Sequence, residues 1–296
     1  MDKDGKFYSG FAAIVGRPNV GKSTLMNAMV GEKVAIVSSK PQTTRNRIMG
    51  VSTGENWQLV FLDTPGMHEP RTKLGEYMVK SIHDAMEGID VLIVVLAINE
   101  IGKQDQAIVE QMAATNVPKV LVLNKTDTVP ENVIFERLKE FADAGYDAVI
   151  PVSAEGGQGM GELRHSLVKL LPEGPKYFPD DMMTDQPERL ICGEIIREKA
   201  LLHLRDEVPH GIGVEMMRIE AVSDHLTEIH ATLYCERSSH KGIIIGKQGS
   251  MLKLIGQEAR QDIEKLLGTK VNLQLWVKVR EDWRNKPSDL HTLGYE

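Results

Sequence analysis

Short apolar runs separated by polar, glycine-bearing turns fill the first 170 or so residues of the chain, and the rhythm changes after them. Residues 12–15, 57–62, 91–96, 119–123 and 149–152 are largely apolar runs of strand length, the third of them six aliphatic residues without a break. Such runs suit the strands of a parallel sheet buried on both faces. Residues 24–29, between the first two runs, are good helix formers. An open α/β sheet is the predicted first domain. Leu171-Pro172-Glu173-Gly174-Pro175 closes it, and a stretch rich in Pro and Asp, without apolar periodicity, runs on to Pro187. Periodicity then resumes. A helix is predicted from Glu188 to about Arg205, with Leu190, Ile191, Ile195, Leu201, Leu202 and Leu204 as its apolar stripe. Strands follow at 214–222 and 228–236, joined by the polar turn Ser223-Asp224-His225. A second helix, 250–267, gathers Leu252, Ile255, Ala259, Ile263 and Leu266 on one face. The last strand alternates, with Val271, Leu273, Leu275, Val277 and Val279 inward and Asn272, Gln274, Trp276, Lys278 and Arg280 outward. The pattern divides the chain into residues 1–172, a linker 173–187 and an α+β domain 188–296.

Composition narrows the class. A chain of 296 residues accommodates two cores. Cys192 and Cys235 stand apart, with no spacing for a zinc site or a disulfide framework, and the nine histidines show no metal-ligand spacing either. The longest aliphatic stretch, 91–98, is too short to span a bilayer, and the N-terminus is charged, so a soluble cytoplasmic protein is expected. The net charge of −7 argues against a nucleic-acid partner for the chain as a whole. Its distribution reverses that locally: residues 240–286 hold ten Lys or Arg against five Asp or Glu.

The chemistry starts at Gly16-Arg17-Pro18-Asn19-Val20-Gly21-Lys22-Ser23, an unbroken G-x-x-x-x-G-K-[ST] between a predicted strand and a helix that begins with Thr24. The glycines let successive N–H groups turn towards phosphate oxygens, and the helix adds the positive end of its dipole. Lys22 is placed to reach β- and γ-phosphates, and the Ser23 hydroxyl to ligate Mg²⁺. In the polar stretch Lys40-Pro41-Gln42-Thr43-Thr44-Arg45-Asn46-Arg47 a threonine could complete the Mg²⁺ shell, Thr44 first and Thr43 in reserve; a plain surface loop is the alternative. The run 57–62 ends in Asp63-Thr64-Pro65-Gly66, where Asp63 can hold the magnesium shell and the Gly66 N–H can meet the γ-phosphate. Asn124-Lys125-Thr126-Asp127 carries specificity. Its Asp127 carboxylate can accept both N1–H and the 2-amino group of guanine, a paired contact adenine cannot make. Lys125 would lie along the base, Asn124 would tie neighbouring loops together, and at Ser153-Ala154 the Ala154 N–H could meet guanine O6. Each motif falls at the C-terminal end of a predicted strand, the edge at which open α/β sheets bind ligands.

These motifs, in this order, resemble the Ras-like P-loop GTPases. Within them, Gly16-Arg17-Pro18-Asn19, Pro41-Gln42-Thr43-Thr44-Arg45, Asp63-Thr64-Pro65-Gly66-Met67-His68 and Lys73-Leu74-Gly75-Glu76-Tyr77-Met78 are similar to the Era family of bacterial ribosome-assembly GTPases. The resemblance implies a Mg²⁺-dependent GTP-to-GDP hydrolase with Lys22, Thr44, Gly66 and Asn19 in catalysis. One departure stands out: Met67 occupies the place of the glutamine that orients water in Ras-like proteins, and a thioether cannot polarise water. In related enzymes an asparagine at the position of Asn19 helps hold a K⁺ ion in place of an arginine finger; support of the turn is the alternative role.

In the C-terminal half, Gly246-Lys247-Gln248-Gly249 is a G-x-x-G turn before a helix, preceded by Ile243-Ile244-Ile245. With the helix, strand and basic charge around it, it resembles a KH domain, whose loop clamps about four nucleotides of single-stranded RNA. The implied RNA contacts are Lys241, Ile244, Gly246, Lys247, Gln248, Gly249, Lys253, Lys278 and Arg280. Trp276, Trp283 and Arg284 could add stacking or charge, or could equally form a solvated strand face and a capping helix. The family resemblance implies further that the partners are the 3′ end of small-subunit ribosomal RNA and the small ribosomal subunit. It also implies a monomer, with peripheral association at the inner face of the cell membrane. Two rivals remain open at this point: a metabolic P-loop ATPase or phosphotransferase with an accessory domain, and a GTPase whose C-terminal domain binds protein.

Overall fold

The computed structural model describes residues 5–38, 40, 42–67 and 69–295. Ser39 lies outside them, as do Pro41 and His68 of the quoted motifs and the terminal residues 1–4 and 296. The chain forms two compact units, the first comprising residues 1–35, 44–69 and 78–185, the second 36–43, 70–77 and 186–296.

The first unit is built on β1 (Tyr8–Val15), α1 (Lys22–Val30), β2 (Ile48–Thr53), β3 (Trp57–Asp63), residues 78–86 of α2 (Lys73–Met86) and β4 (Val91–Ala97). It continues with α3 (Lys103–Ala113), β5 (Lys119–Asn124), α4 (Glu131–Phe141), β6 (Ala148–Pro151) and α5 (Met160–Leu170). Its six strands run β2-β3-β1-β4-β5-β6, all parallel but for β2, which pairs antiparallel with β3. Successive residues of one strand go to opposite faces. Ile14, Phe61, Ile93 and Val122 pack with Leu25 and Met26 of α1 and Leu163 and Leu167 of α5. Val15, Leu62, Val94 and Leu123 pack with Ile82 of α2, Ile108 and Met112 of α3 and Phe141 of α4. Covering both faces is what makes the strands read as unbroken apolar runs, and all seven residues of β4 are buried. The expected α/β sheet is present. Because β3 and β4 flank β1, the chain leaves β1 on one side and returns on the other, which opens a crevice at the C-terminal ends of these strands.

The segment 173–185 lies along the first unit. Ser9 donates its N–H to the Pro172 carbonyl and its hydroxyl to that of Pro175. The Gln58 side chain, fully buried, accepts the N–H groups of Tyr177 and Phe178 and donates to the Phe178 carbonyl. Val51 N–H then meets the Met183 carbonyl, and the Thr184 hydroxyl that of Met49.

The second unit holds α6 (Glu188–His203), β7 (Gly213–Ser223), β8 (Leu226–Cys235), α7 (Ser238–Ile245), α8 (Ser250–Leu267), β9 (Lys270–Val279) and α9 (Pro287–Thr292). Its sheet runs β7-β8-β9, antiparallel then parallel. Ile195 and Ile196 of α6, Ile255, Ala259 and Ile263 of α8 and the inner residues of the sheet share one core. Leu202 and Leu266, assigned to apolar faces in sequence, are 50% and 39% exposed. They stand at the margins of stripes whose centres already fill the core. Both cysteines are buried and free, and burial pushes the Cys192 thiol up to about 12, as befits a packing residue. No helix among the described residues is long and apolar enough to cross a membrane.

Candidate functional site

Strand register brings the motifs level. Ile14 lies opposite Asp63, Val15 opposite Val94, Ala97 opposite Asn124 and Leu123 opposite Pro151, so the loops that follow β1, β3, β5 and β6 meet at one edge of the sheet.

The phosphate loop is braced from several sides. Lys22 Nζ donates to the carbonyls of Gly16 at 3.2 Å and Arg17 at 3.0 Å, and the Met67 N–H reaches the same Gly16 oxygen at 3.0 Å. A Cβ on Gly16 would sit 2.4 Å from the Val95 carbonyl oxygen, and one on Gly21, at φ +97°, 2.2 Å from Asn124 Nδ2. Only glycine fits either place. Asn124 donates from Nδ2 to the Val20 carbonyl at 2.9 Å and accepts the Ala154 N–H on Oδ1 at 3.0 Å. Asn124 therefore ties the loops together, and it does so through the Ala154 N–H, the group expected to meet guanine O6. Asn19 caps the loop in the left-handed region at φ +65°, and Thr24 is half-buried in the first turn of α1.

Magnesium chemistry has its donors in one place. The Ser23 hydroxyl donates to Asp63 Oδ2 at 2.5 Å and lies 2.8 Å from the Thr44 hydroxyl, which is itself 3.4 Å from Oδ2. Thr43 turns away, donating to the Lys40 carbonyl at 2.6 Å. Asp63 Oδ1 is buried with no hydrogen-bond partner among the described residues. An unpaired buried carboxylate oxygen is costly, and three hard oxygen donors beside it fit Mg²⁺. Burial raises the Asp63 carboxyl, opposed by the Lys22 charge and the two hydroxyls, and burial lowers the Lys22 ammonium to about 8, opposed by Asp63. Phosphate beside Lys22 and a metal ion beside Asp63 would each favour the charged form. Thr64 anchors the loop after β3 by donating to the Ile14 carbonyl at 2.7 Å, and Pro65 behind it is buried. Gly66 is a close approach: a Cβ there would lie 2.5 Å from the Pro18 nitrogen.

At the base-recognition end, Asp127 is exposed, with Oδ1 accepting the Ser153 hydroxyl at 2.5 Å. Ser153, wholly buried, also receives the Gly156 N–H. Lys125 takes a left-handed turn at φ +67°, and Thr126 donates its N–H to the Val152 carbonyl. The carboxylate that would choose the base is thus held from beneath and open above.

In the second unit, Gly246 (φ +73°), Gln248 (φ +53°) and Gly249 (φ +80°) turn the chain from α7 into α8, leaving Lys247 and Gln248 exposed. Beside the turn a groove of ≈ 380 Å³ runs between α8 and β9, with Leu252, Leu273 and Leu275 as its floor and Lys253, Gln257 and Arg260 on its rim. Gly249 and Lys253, both among the expected RNA contacts, line this groove; its other lining residues are not among them. The local signal for the groove is two leucines, Leu273 and Leu275, on a strand whose other inward residues are valines. Lys278 is exposed on the opposite side of β9 and Lys241 is half-buried on α7. One expected RNA contact needs correction. Ile244 is 0% exposed and anchors α7 in the core. Arg280 lies over the Tyr234 ring, donates to its hydroxyl and pairs with Asp289 at 3.5 Å. Trp283 is likewise buried, its indole N–H bonded to the Gly211 carbonyl, whereas Trp276 is exposed against His230.

Comparison with known proteins agrees with this geometry. The family of 50S ribosome-binding GTPases matches residues 11–125, and the KH domain family matches residues 207–284. Fold and site together define a P-loop GTPase joined to a KH domain. The chain is 52% identical over 293 residues to the GTPase Era of Alkaliphilus metalliredigens, covering 98% of this chain and 99% of the relative. Era of Clostridioides difficile is also 52% identical, over 293 residues, with the same coverage. The fold matches Era solved with MgGDPNP and nucleotides 1506–1542 of 16S ribosomal RNA, at TM-score 0.91, 40% identity and 98% and 99% coverage of the two chains. An Aquifex aeolicus Era variant bound to GDP and AlF₄⁻ matches equally, at TM-score 0.91 and 40% identity over 98% of this chain. The chain belongs to the Era family of GTPases.

Proposed function

We propose that the chain binds GTP with Mg²⁺, hydrolyses it to GDP and phosphate, and grips single-stranded small-subunit ribosomal RNA through the groove between α8 and β9. The observation that carries the reading is the level row of Lys22, Asp63 Oδ1 and the Ser153-held Asp127 carboxylate along one sheet edge, which matches phosphate, metal and guanine in turn. Ser23 and Thr44 would hold Mg²⁺ directly, with Asp63 behind their hydroxyls; the ion would supply charge for the β- and γ-phosphates. Lys22 shares that task, and the Gly66 N–H meets the γ-phosphate. Water attacks in line, without help from the Met67 side chain, which is half-buried against the core. The left-handed, exposed Asn19 is the candidate K⁺ ligand, and turnover in K⁺ against Na⁺ at fixed ionic strength tests it: equal rates would remove that role. The domain limits 1–172, 173–187 and 188–296 belong to the same proposal. So do a cytoplasmic place, which rests on the composition, and a monomeric state and peripheral membrane association, which rest on the family resemblance. The test of the whole is Asp127→Asn. Affinity should pass from guanosine to xanthosine nucleotides, whose 2-oxo group restores the paired contact; unchanged GTP affinity would refute the assignment.

A further inference from the structure

Arg17 is the first variable residue of the phosphate loop, yet its side chain points away from the loop's task. Its Nε donates to Asp105 Oδ1 at 2.7 Å and its Nη2 to the Glu100 carbonyl at 2.8 Å. Asp105 is 0% exposed, and its other oxygen accepts the Gly102 N–H at 2.9 Å. Burying a carboxylate is expensive unless it is paired and hydrogen-bonded. Capping α3 alone does not require it, since an exposed side chain caps a helix as well. What the buried position adds is a fixed anchor for Arg17, 88 residues away.

The anchored residue is one end of an arch. The Arg17 carbonyl accepts Lys22 Nζ, Pro18 stands against Gly66 close enough to forbid a Cβ there, and Asn19 turns left-handed. The other end of the loop has braces of its own, from Asn124 to Val20 and Gly21. Arg17 and Asp105 neutralise each other, so the pair contributes position rather than attraction for phosphate.

We propose that Arg17 and Asp105 form a positioning pair that sets the arch 17–19 against Gly66 and so favours a nucleotide carrying a γ-phosphate over one that ends at the β-phosphate. The inference rests on the GTP reading above and goes beyond it by assigning nucleotide-state selectivity to a buried residue outside every motif.

The test is binding of fluorescent GDPNP and GDP, with Mg²⁺, to the full chain carrying Asp105→Asn, which keeps the shape but turns one acceptor into a donor. The dissociation constant for GDPNP should rise about tenfold, the scale of one charge-assisted hydrogen bond, and that for GDP about twofold. The salt dependence of both should match the unmodified protein. Arg17→Met with Asp105→Leu removes both charges together and serves if the single variant fails to fold; the same selective loss is expected. Equal losses for the two nucleotides, or a lowered unfolding temperature with an unchanged affinity ratio, would reduce the pair to a structural tie and overturn the proposal. Failure of the unmodified chain to bind either nucleotide would instead sink the GTP reading itself.

Discussion

Two glycine turns open helices in this chain, at residues 16–23 and 246–249, and their surroundings differ in almost every physical respect. The first is locked. Its glycines abut the Val95 carbonyl and Asn124, and its lysine is 6% exposed between two loop carbonyls with its ammonium lowered to about 8. The second is tight only at its start, where a Cβ on Gly246 would lie 2.7 Å from Met251, and open beyond it: nothing lies within 4 Å of a Cβ built on Gly249, and Lys247 is exposed. A preorganised cradle fits one ligand geometry and loses affinity when any brace is removed. An open turn beside an apolar floor accepts a flexible chain and reads it by close backbone approach and charge. The same residue types thus serve a fixed nucleotide in one unit and a pliable polymer in the other.

The contrast is tested most severely by adding one methyl group to the locked turn. Gly21→Ala drives a Cβ to 2.2 Å from Asn124 Nδ2 at φ +97° and breaks the brace that also reaches Ala154. Strain and the lost brace together should cost about 3 kcal/mol, roughly a hundredfold in GDP affinity by equilibrium titration. A loss below about threefold would mean the loop relaxes freely, and the contrast would weaken.

Next in size is the metal corner of the same edge. Asp63→Asn leaves the Ser23 and Thr44 hydroxyls in place but removes the carboxylate behind them. The Mg²⁺ concentration for half-maximal turnover should rise about 10–100-fold, as for other changes behind metal ligands. Turnover equally sensitive to Mg²⁺ would remove Asp63 from the metal's surroundings.

The open turn calls for a change of charge. Gly246 is a poor place for it, because φ +73° and Met251 at 2.7 Å would mix strain with electrostatics. Lys247→Glu is clean. Binding of a single-stranded RNA at low salt should weaken about tenfold, with a shallower dependence of log affinity on log salt. An unchanged salt slope would favour a protein partner for this surface.

The legibility of the two turns in sequence differs as their surroundings do. The locked turn and its companions could be read residue by residue, because each motif has to place a particular atom at a strand end. Buried strands with two covered faces were equally plain. What escaped reading had no local signature. β2 is short, lies at the sheet edge and carries no motif. α7 buries only Ile244 and begins with Ser238, Ser239 and His240, so its periodicity is faint. The segment 173–185 is held by the side chains of Gln58, Ser9 and Thr184 and by backbone atoms, which no composition reveals. Arg17 and Asp105 pair across 88 residues. Among the RNA contacts, Ile244 was misplaced because an aliphatic residue next to a glycine turn serves a core and a ligand groove equally well.

The smallest expected effect isolates conformation from charge. Gly249→Ala meets open space but keeps φ +80°, so its only penalty is the left-handed backbone of a residue with a Cβ, about 1 kcal/mol. If the open turn must hold this conformation to receive RNA, affinity should fall about fivefold, equally at low and high salt, because no charge has changed. Lys247→Glu would show the opposite dependence. Salt-insensitive loss at Gly249 with salt-sensitive loss at Lys247 would separate the two ways this turn binds. Loss at neither position would leave the groove floor, Leu252, Leu273 and Leu275, as the surface that holds the RNA, and the turn as a mere connection between helices.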